Sequence, residues 1–199
     1  MEIIRLNPEL YKGKHLIMRY KSRFYYDIAI SKTDGGVDFS LVRKRFENEK
    51  EKSFEDRLIE EWLEKPQLFG ASENGGIVGY LELSHEQWNN RMRVSNIMVE
   101  EPFRGRGIGR ALMDRAYRAA IEENARMLVL ETQSCNDKAI AFYRSCGFNM
   151  IGFDLYAYSN NDVENREFRI EMGRPILPKT QKNSGLPDVE VDALKDKER

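Results

Sequence analysis

In Arg104-Gly105-Arg106-Gly107-Ile108-Gly109-Arg110, three glycines interleave with three arginines between an apolar-rich run, Val94–Val99, and a helical pattern that opens at Ile108. A glycine-rich turn entering a helix leaves several backbone N–H groups without an intrahelical acceptor, and the helix dipole adds partial positive charge at the same place. Such a turn suits a phosphate or diphosphate, and arginine supplies forked donors for its oxygens. Taken alone, the segment reads equally as a glycine-rich connection whose arginines face solvent.

A second segment runs from Leu130-Glu131-Thr132-Gln133 through Asn136 and Phe142-Tyr143 to Gly147-Phe148. Here a strand enters a short helix holding Asn136 and Tyr143 seven positions apart. Two helical turns bring such residues back to nearly one face. Each also has an ordinary reading, Asn136 as an N-cap and Tyr143 as a half-buried aromatic. His15 and His85 are far apart without ligand spacing, and Cys135 and Cys146 have neither metal-ligand nor disulfide-framework spacing. No metal site is expected from them.

The elements that must position these residues follow from periodicity. Leu16–Tyr20 and Phe24–Ile30 are rich in β-forming residues, with Asp34-Gly35-Gly36 as a turn. From Ser53 to Lys65 a helical period is expected, because Phe54, Leu58 and Trp62 recur at i, i+4 and i+8 before Pro66. Arg43–Lys52 reads as a solvated connection or helix face. Strands are expected at Leu68–Ser72, Ile77–Ser84 and Arg93–Val99, with Asn74-Gly75-Gly76 as a hairpin turn. A helix from Ile108 to about Asn124, a buried strand Arg126–Thr132, a helix ending near Cys146 and closing strands Phe148–Tyr158 and Glu167–Met172 complete the pattern. This is an α/β chain of the α+β type, a mixed sheet with helices on both faces. Residues 1–178 form one domain, and Lys179–Arg199 reads as a polar, mobile tail.

The bulk numbers bound the function. The 199 residues are 41% hydrophobic and 33% charged, with a formal net charge of -1. That composition reads as soluble and globular, without the basic excess of a general nucleic-acid binder. No membrane-spanning run or signal-peptide pattern is seen, so no nucleic-acid or membrane partner is expected and a reducing cytoplasm is the expected compartment.

Together, Arg104-x-x-Gly107-x-Gly109 and Asn136…Ala139…Phe142-Tyr143…Gly147-Phe148 resemble the two cofactor motifs of the GNAT N-acetyltransferase superfamily. The resemblance is clear over Leu68 to Met172. It implies the GNAT fold, with a mostly antiparallel twisted sheet, and an acetyl-CoA-dependent N-acetyltransferase that needs no metal. Amides of Arg104, Gly105, Arg106, Gly107, Ile108, Gly109 and Arg110 would then hold the diphosphate, with charge from Arg104 and Arg106. Backbone atoms of Ile97, Met98 and Val99 would pair with the pantetheine arm, and Asn136 would contact its amide or a nearby backbone group. Tyr143 would protonate the departing thiolate. Dimers are common in the family, so a homodimer is also allowed.

The attacking amine must be neutral. Relatives often carry a carboxylate on the strand before the cofactor turn, but this chain has Ser95 and Asn96 there. Glu131 is the first candidate base, with cleft organisation as its other reading, and Glu82 is the second, with a solvated strand carboxylate as its other reading. The segment from Leu130 to Phe148 with Asp154…Tyr156 also resembles streptothricin acetyltransferases, which acetylate a cationic antibiotic. Glu82, Glu86, Glu131 and Asp154 could place negative charge around such an acceptor, and Trp88 could cover it. A peptide acceptor and a non-catalytic coenzyme A-binding module are the alternatives.

Overall fold

The computed structural model describes residues 1–176. A seven-stranded sheet has the order β1-β4-β5-β6-β7-β9-β8, built from β1 (Glu2–Leu6), β4 (Gln67–Glu73), β5 (Gly76–Glu86), β6 (Arg91–Val99), β7 (Met127–Gln133), β8 (Asn149–Asp154) and β9 (Arg169–Pro175). All neighbours are antiparallel except β6 and β7. Two longer helices, α1 (Ile108–Glu122) and α2 (Asp137–Ser145), follow β6 and β7, and a short α3 (Asp162–Asn165) precedes β9.

Helix α1 buries Ile108, Leu112, Met113, Ala116, Ala119 and Ala120 in one stripe against the sheet. Leu81, Leu83, Met92, Val94, Leu128 and Leu130 meet that stripe, and Ile140 of α2 joins the same core. Asn124, at φ 53°, turns the chain after α1 towards β7. A second, smaller core holds Leu6, Leu16, Leu58, Ile59, Leu68, Tyr80 and Met98.

The helix expected over Ser53–Lys65 is not formed. Residues 53–57 instead end β3 (Gly36–Arg57), which pairs with β2 (His15–Thr33) in a long antiparallel ribbon. Phe54 lies opposite Met18, and Leu58 opens an irregular segment whose amide donates to the Lys14 carbonyl. The apolar residues at helical spacing do not share a buried face: Leu58 is 0% exposed, whereas Phe54 is 43% and Trp62 66% exposed. The cross-strand partner decides the conformation here, overriding the helix-favouring Glu and Lys content. Arg43–Lys52 likewise belongs to β3 and is neither a loop nor a helix face. The residue 179–199 expectation lies outside the described residues.

The ribbon is tied to the end of the main sheet. Tyr26 N–H donates to the Ser134 carbonyl at 2.9 Å, and Tyr20 Oη donates to Gln133 Oε1 at 2.6 Å. Arg43 makes a forked pair with Asp137 at the start of α2, at 2.7 and 3.0 Å. Lys52 pairs with Glu167, and Lys50 Nζ donates to the Asn165 carbonyl at 2.7 Å.

Candidate active site

The parallel pairing of β6 and β7 covers only Arg91 with Met127, Met92 with Leu128 and Arg93 with Val129. Beyond Arg93 the strands separate, so β6 keeps an unpaired edge from Val94 to Val99. Backbone N–H and C=O groups on such an edge can accept an added strand-like ligand. Ile97, Met98 and Val99 lie on this stretch, and their other edge is satisfied by β5.

The Arg104–Arg110 turn follows β6 and enters α1. Gly105 and Gly107 have φ values of 76° and 81°, and Gly107 is the N-cap of α1 without a side-chain cap bond. The first amide closing the helix is that of Ala111, which donates to the Gly107 carbonyl at 3.1 Å. Among the described residues, no protein acceptor takes the amides of Gly105 to Arg110. Gly109 serves packing: a Cβ there would come within 3.3 Å of the Phe142 ring, so the glycine lets α1 and α2 approach closely. At Gly107 a Cβ would meet nothing within 4 Å, and the positive φ is what requires glycine.

The arginines of the turn bind protein groups. Arg104 Nε donates to the Val99 carbonyl at 3.0 Å and Nη1 to the Arg19 carbonyl at 3.1 Å, linking β6, the turn and the ribbon. Arg106 pairs with Glu73. Arg110 donates to the Ser145 carbonyl and hydroxyl at 2.8 and 3.0 Å, clamping α1 to the end of α2. The free backbone amides are therefore the turn's available donors.

Tyr143 lies half-buried between Phe142 and Phe148, with ring centroids 5.5 and 6.3 Å away. Burial, with the neighbouring Cys146 thiol, pushes its hydroxyl up to about 12. Such a group keeps its proton at physiological pH and stays available as a donor. Asn136 caps α2, its Oδ1 accepting the Ala139 N–H at 3.4 Å.

Glu131 is 39% exposed and faces Arg93 at 3.6 Å and Arg169 at 3.4 Å. Arg169 continues to Asp154 at 3.2 Å, and Arg93 and Arg91 both pair with Glu86. Burial works against charge on Glu86, yet its bonds to Arg93, Asn89 and Arg91 hold its carboxyl below the ordinary range. These residues form an ion-pair ladder across the sheet, and its carboxylates already have cationic partners. Trp88 is 81% exposed with Arg91 6.0 Å from its ring, and the ribbon meets the end of β7 through Tyr20 and Tyr26.

Glu82 differs. It is 0% exposed, accepts the Ile59 N–H at 2.6 Å and the Asn96 amide at 2.9 Å, and its carboxyl is pushed up by burial. Asp56, at the end of β3, is also pushed up by burial. The sequence reading missed Asp56 because it placed Ser53–Lys65 in a helix. Tyr20, whose hydroxyl reaches Gln133 and lies 3.2 Å from Cys135 Sγ, was read only as part of a strand. No local signal joins residues more than a hundred positions apart.

Among the described residues, no cluster of three or more His, Cys, Asp or Glu could hold a metal ion, and no helix is long and apolar enough to cross a membrane. The family model for the acetyltransferase (GNAT) family matches residues 39–148. A streptothricin acetyltransferase from Streptomyces lavendulae is 36% identical over 102 residues, 51% of this chain and 53% of that protein. The chain thus spans about half the length of the curated relatives it matches. The crystal structure of a nourseothricin acetyltransferase is similar with a TM-score of 0.69 and 26% identity, covering 88% of this chain and 98% of the other. A Bacillus anthracis protein solved with acetyl coenzyme A shares the fold at TM-score 0.61 and 23% identity, over 87% of this chain and 98% of the other.

Proposed function

The chain belongs to the acetyltransferase (GNAT) family, and from that premise we propose that it transfers acetyl from acetyl-CoA to the primary amine of a small cationic molecule of the streptothricin type. The observation that carries the reading is the unpaired edge of β6, which leads directly into a turn of unclaimed amides. The pantetheine arm would pair with Ile97, Met98 and Val99, and the diphosphate would rest on the amides of Gly105 to Arg110. Asn136 would meet the pantetheine side through the amide nitrogen that its cap bond leaves available.

The neutral amine attacks the thioester carbonyl and a C–N bond forms as the oxygen takes negative charge. A backbone N–H of the open β6 edge stabilises the oxyanion. Collapse breaks the C–S bond, and Tyr143 gives its proton to the leaving thiolate. Because a thiol is already a fair leaving group, with a free pKa near 8.5, this acid contributes about ten- to a thousandfold, and positioning supplies most of the rate.

The nitrogen also sheds a proton. Glu131 is held by two arginines, which favours its cleft-organising role, whereas the raised proton affinity of Glu82 suits a base. A small acceptor is favoured over a peptide because the ribbon crosses the end of β7 through Tyr20, Tyr26 and Arg43. Free-thiol release from acetyl-CoA across streptothricin, polyamines, aminoglycosides and amino-terminal peptides tests the proposal. Release with a cationic small amine is expected. Release with peptides alone would replace the acceptor class, and coenzyme A binding without release would support the non-catalytic module.

A further inference from the structure

The β5–β6 ladder has an irregularity between Glu82 and Leu83: Glu82 pairs with Asn96 and Leu83 with Val94, leaving Ser95 as the extra residue on β6. Strand residues alternate between faces, so one inserted residue reverses the alternation beyond it. Before the bulge, Met92 and Val94 enter the core beneath α1. After it, Met98 joins the opposite core with Leu58, Ile59 and Tyr80, and Asn96 lies on that same side. There Asn96 Nδ2 donates to Glu82 Oε2.

The other carboxylate oxygen accepts the Ile59 N–H. Ile59 has φ 57°, a left-handed value that is unfavourable for a β-branched residue. Backbone held this way, and aimed at a carboxylate, marks a position fixed by its surroundings. The charged and titratable groups acting on Glu82 are Asp56 from the end of β3 and Glu60 from the segment after it, and no cation is among them. A buried carboxylate with two neutral donors and no counter-ion is costly to keep for stability alone.

We propose that Asn96 is a positioning residue for Glu82, which reaches across from β5 to stand in for the carboxylate that β6 lacks and takes the proton shed by the acceptor amine. The inference rests on the acetyl-transfer reading above. As the C–N bond forms, the proton leaves nitrogen for a water and then Glu82, while the C–S electron pair leaves with sulfur and is protonated by Tyr143. Asn96, on the stretch of β6 beyond its parting from β7, holds Glu82 Oε2. Burial, then the charges of Asp56 and Glu60, raise the proton affinity of Glu82, and the Asn96 amide and Ile59 N–H moderate it.

The test is the pH profile of kcat/KM by thiol release, with the Glu82 carboxyl followed by carbon-13 NMR in the full chain. Asp56→Asn removes a negative neighbour and is expected to move the acidic limb and the Glu82 titration to lower pH. Asn96→Ala removes a bond to the charged form and is expected to move both to higher pH. Glu82→Gln should lower kcat about a hundredfold or more, with acetyl-CoA affinity within about twofold of the parent. Opposite displacements are a result that a merely structural role would not give. Should Asn96→Ala fail to fold, the near-isosteric Asp56→Asn still carries the test. Unmoved profiles, or full rate in Glu82→Gln, overturn the inference while leaving acetyl transfer standing. Failure of the parent protein to release thiol with every amine overturns the acetyl-transfer reading and this inference with it.

Discussion

At the residue scale, Tyr143 makes the sharpest demand. Its hydroxyl is pushed up to about 12 from the ordinary 10.0, mainly by burial, so deprotonation requires a higher pH than for a free tyrosine. The acid should remain available as pH passes 10, and kcat should show no tyrosine limb at that ordinary value. A stopped-flow pH series on acetyl-CoA turnover checks this, and a basic limb at the ordinary value would contradict the assignment. Tyr143→Phe should lower kcat about ten- to a thousandfold with coenzyme A affinity nearly intact; an unchanged rate would remove Tyr143 as the acid. The glycine turn and the helix that carries Asn136 and Tyr143 could be read in the sequence because their spacing is local. The arginines were harder: residue type suggested diphosphate contacts, whereas Arg104, Arg106 and Arg110 find acceptors on Val99, Arg19, Glu73 and Ser145. Those partners lie on other elements and leave no mark on the motif.

At the element scale, the turn into α1 and the β2–β3 ribbon do different work. The turn depends on a positive φ at Gly107, where a β-branched side chain costs about 1–3 kcal/mol of backbone strain. Gly107→Val should therefore weaken coenzyme A binding roughly tenfold or more in a calorimetric titration, since the amides lose their common direction; equal affinity would displace the diphosphate from this turn. The ribbon is attached by contacts such as the forked Arg43–Asp137 pair. Arg43→Ala should speed hydrogen exchange around Phe24–Asp27 without changing exchange at Gly107–Arg110, and unaltered ribbon protection would show that this clamp is dispensable. The sequence concealed the second strand of the ribbon. Its many Glu and Lys residues favour helix, and Phe54, Leu58 and Trp62 happen to fall at helical spacing, but the ladder to His15–Tyr20 wins. The bulge at Ser95 was equally hidden, because nothing in Val94-Ser95-Asn96 signals which residue is extra.

For the whole molecule, one sheet is divided into two jobs. Strands on both sides of the β6–β7 junction build the core beneath α1, and where β6 parts from β7 its free edge leads into the α1 turn, the proposed cofactor end. The strands and helices between Leu68 and Met172 were legible from periodicity, while β1, the order of strands in the sheet and the second strand of the ribbon were not. That is why the donor can be read from local motifs and the acceptor depends on long-range packing. The most direct check on the account is mass spectrometry of streptothricin incubated with the protein and acetyl-CoA. The account predicts the mass gain of one acetyl group, located on an amine nitrogen and absent without acetyl-CoA. An unmodified antibiotic, with the protein folded and coenzyme A bound, would contradict the proposed acceptor.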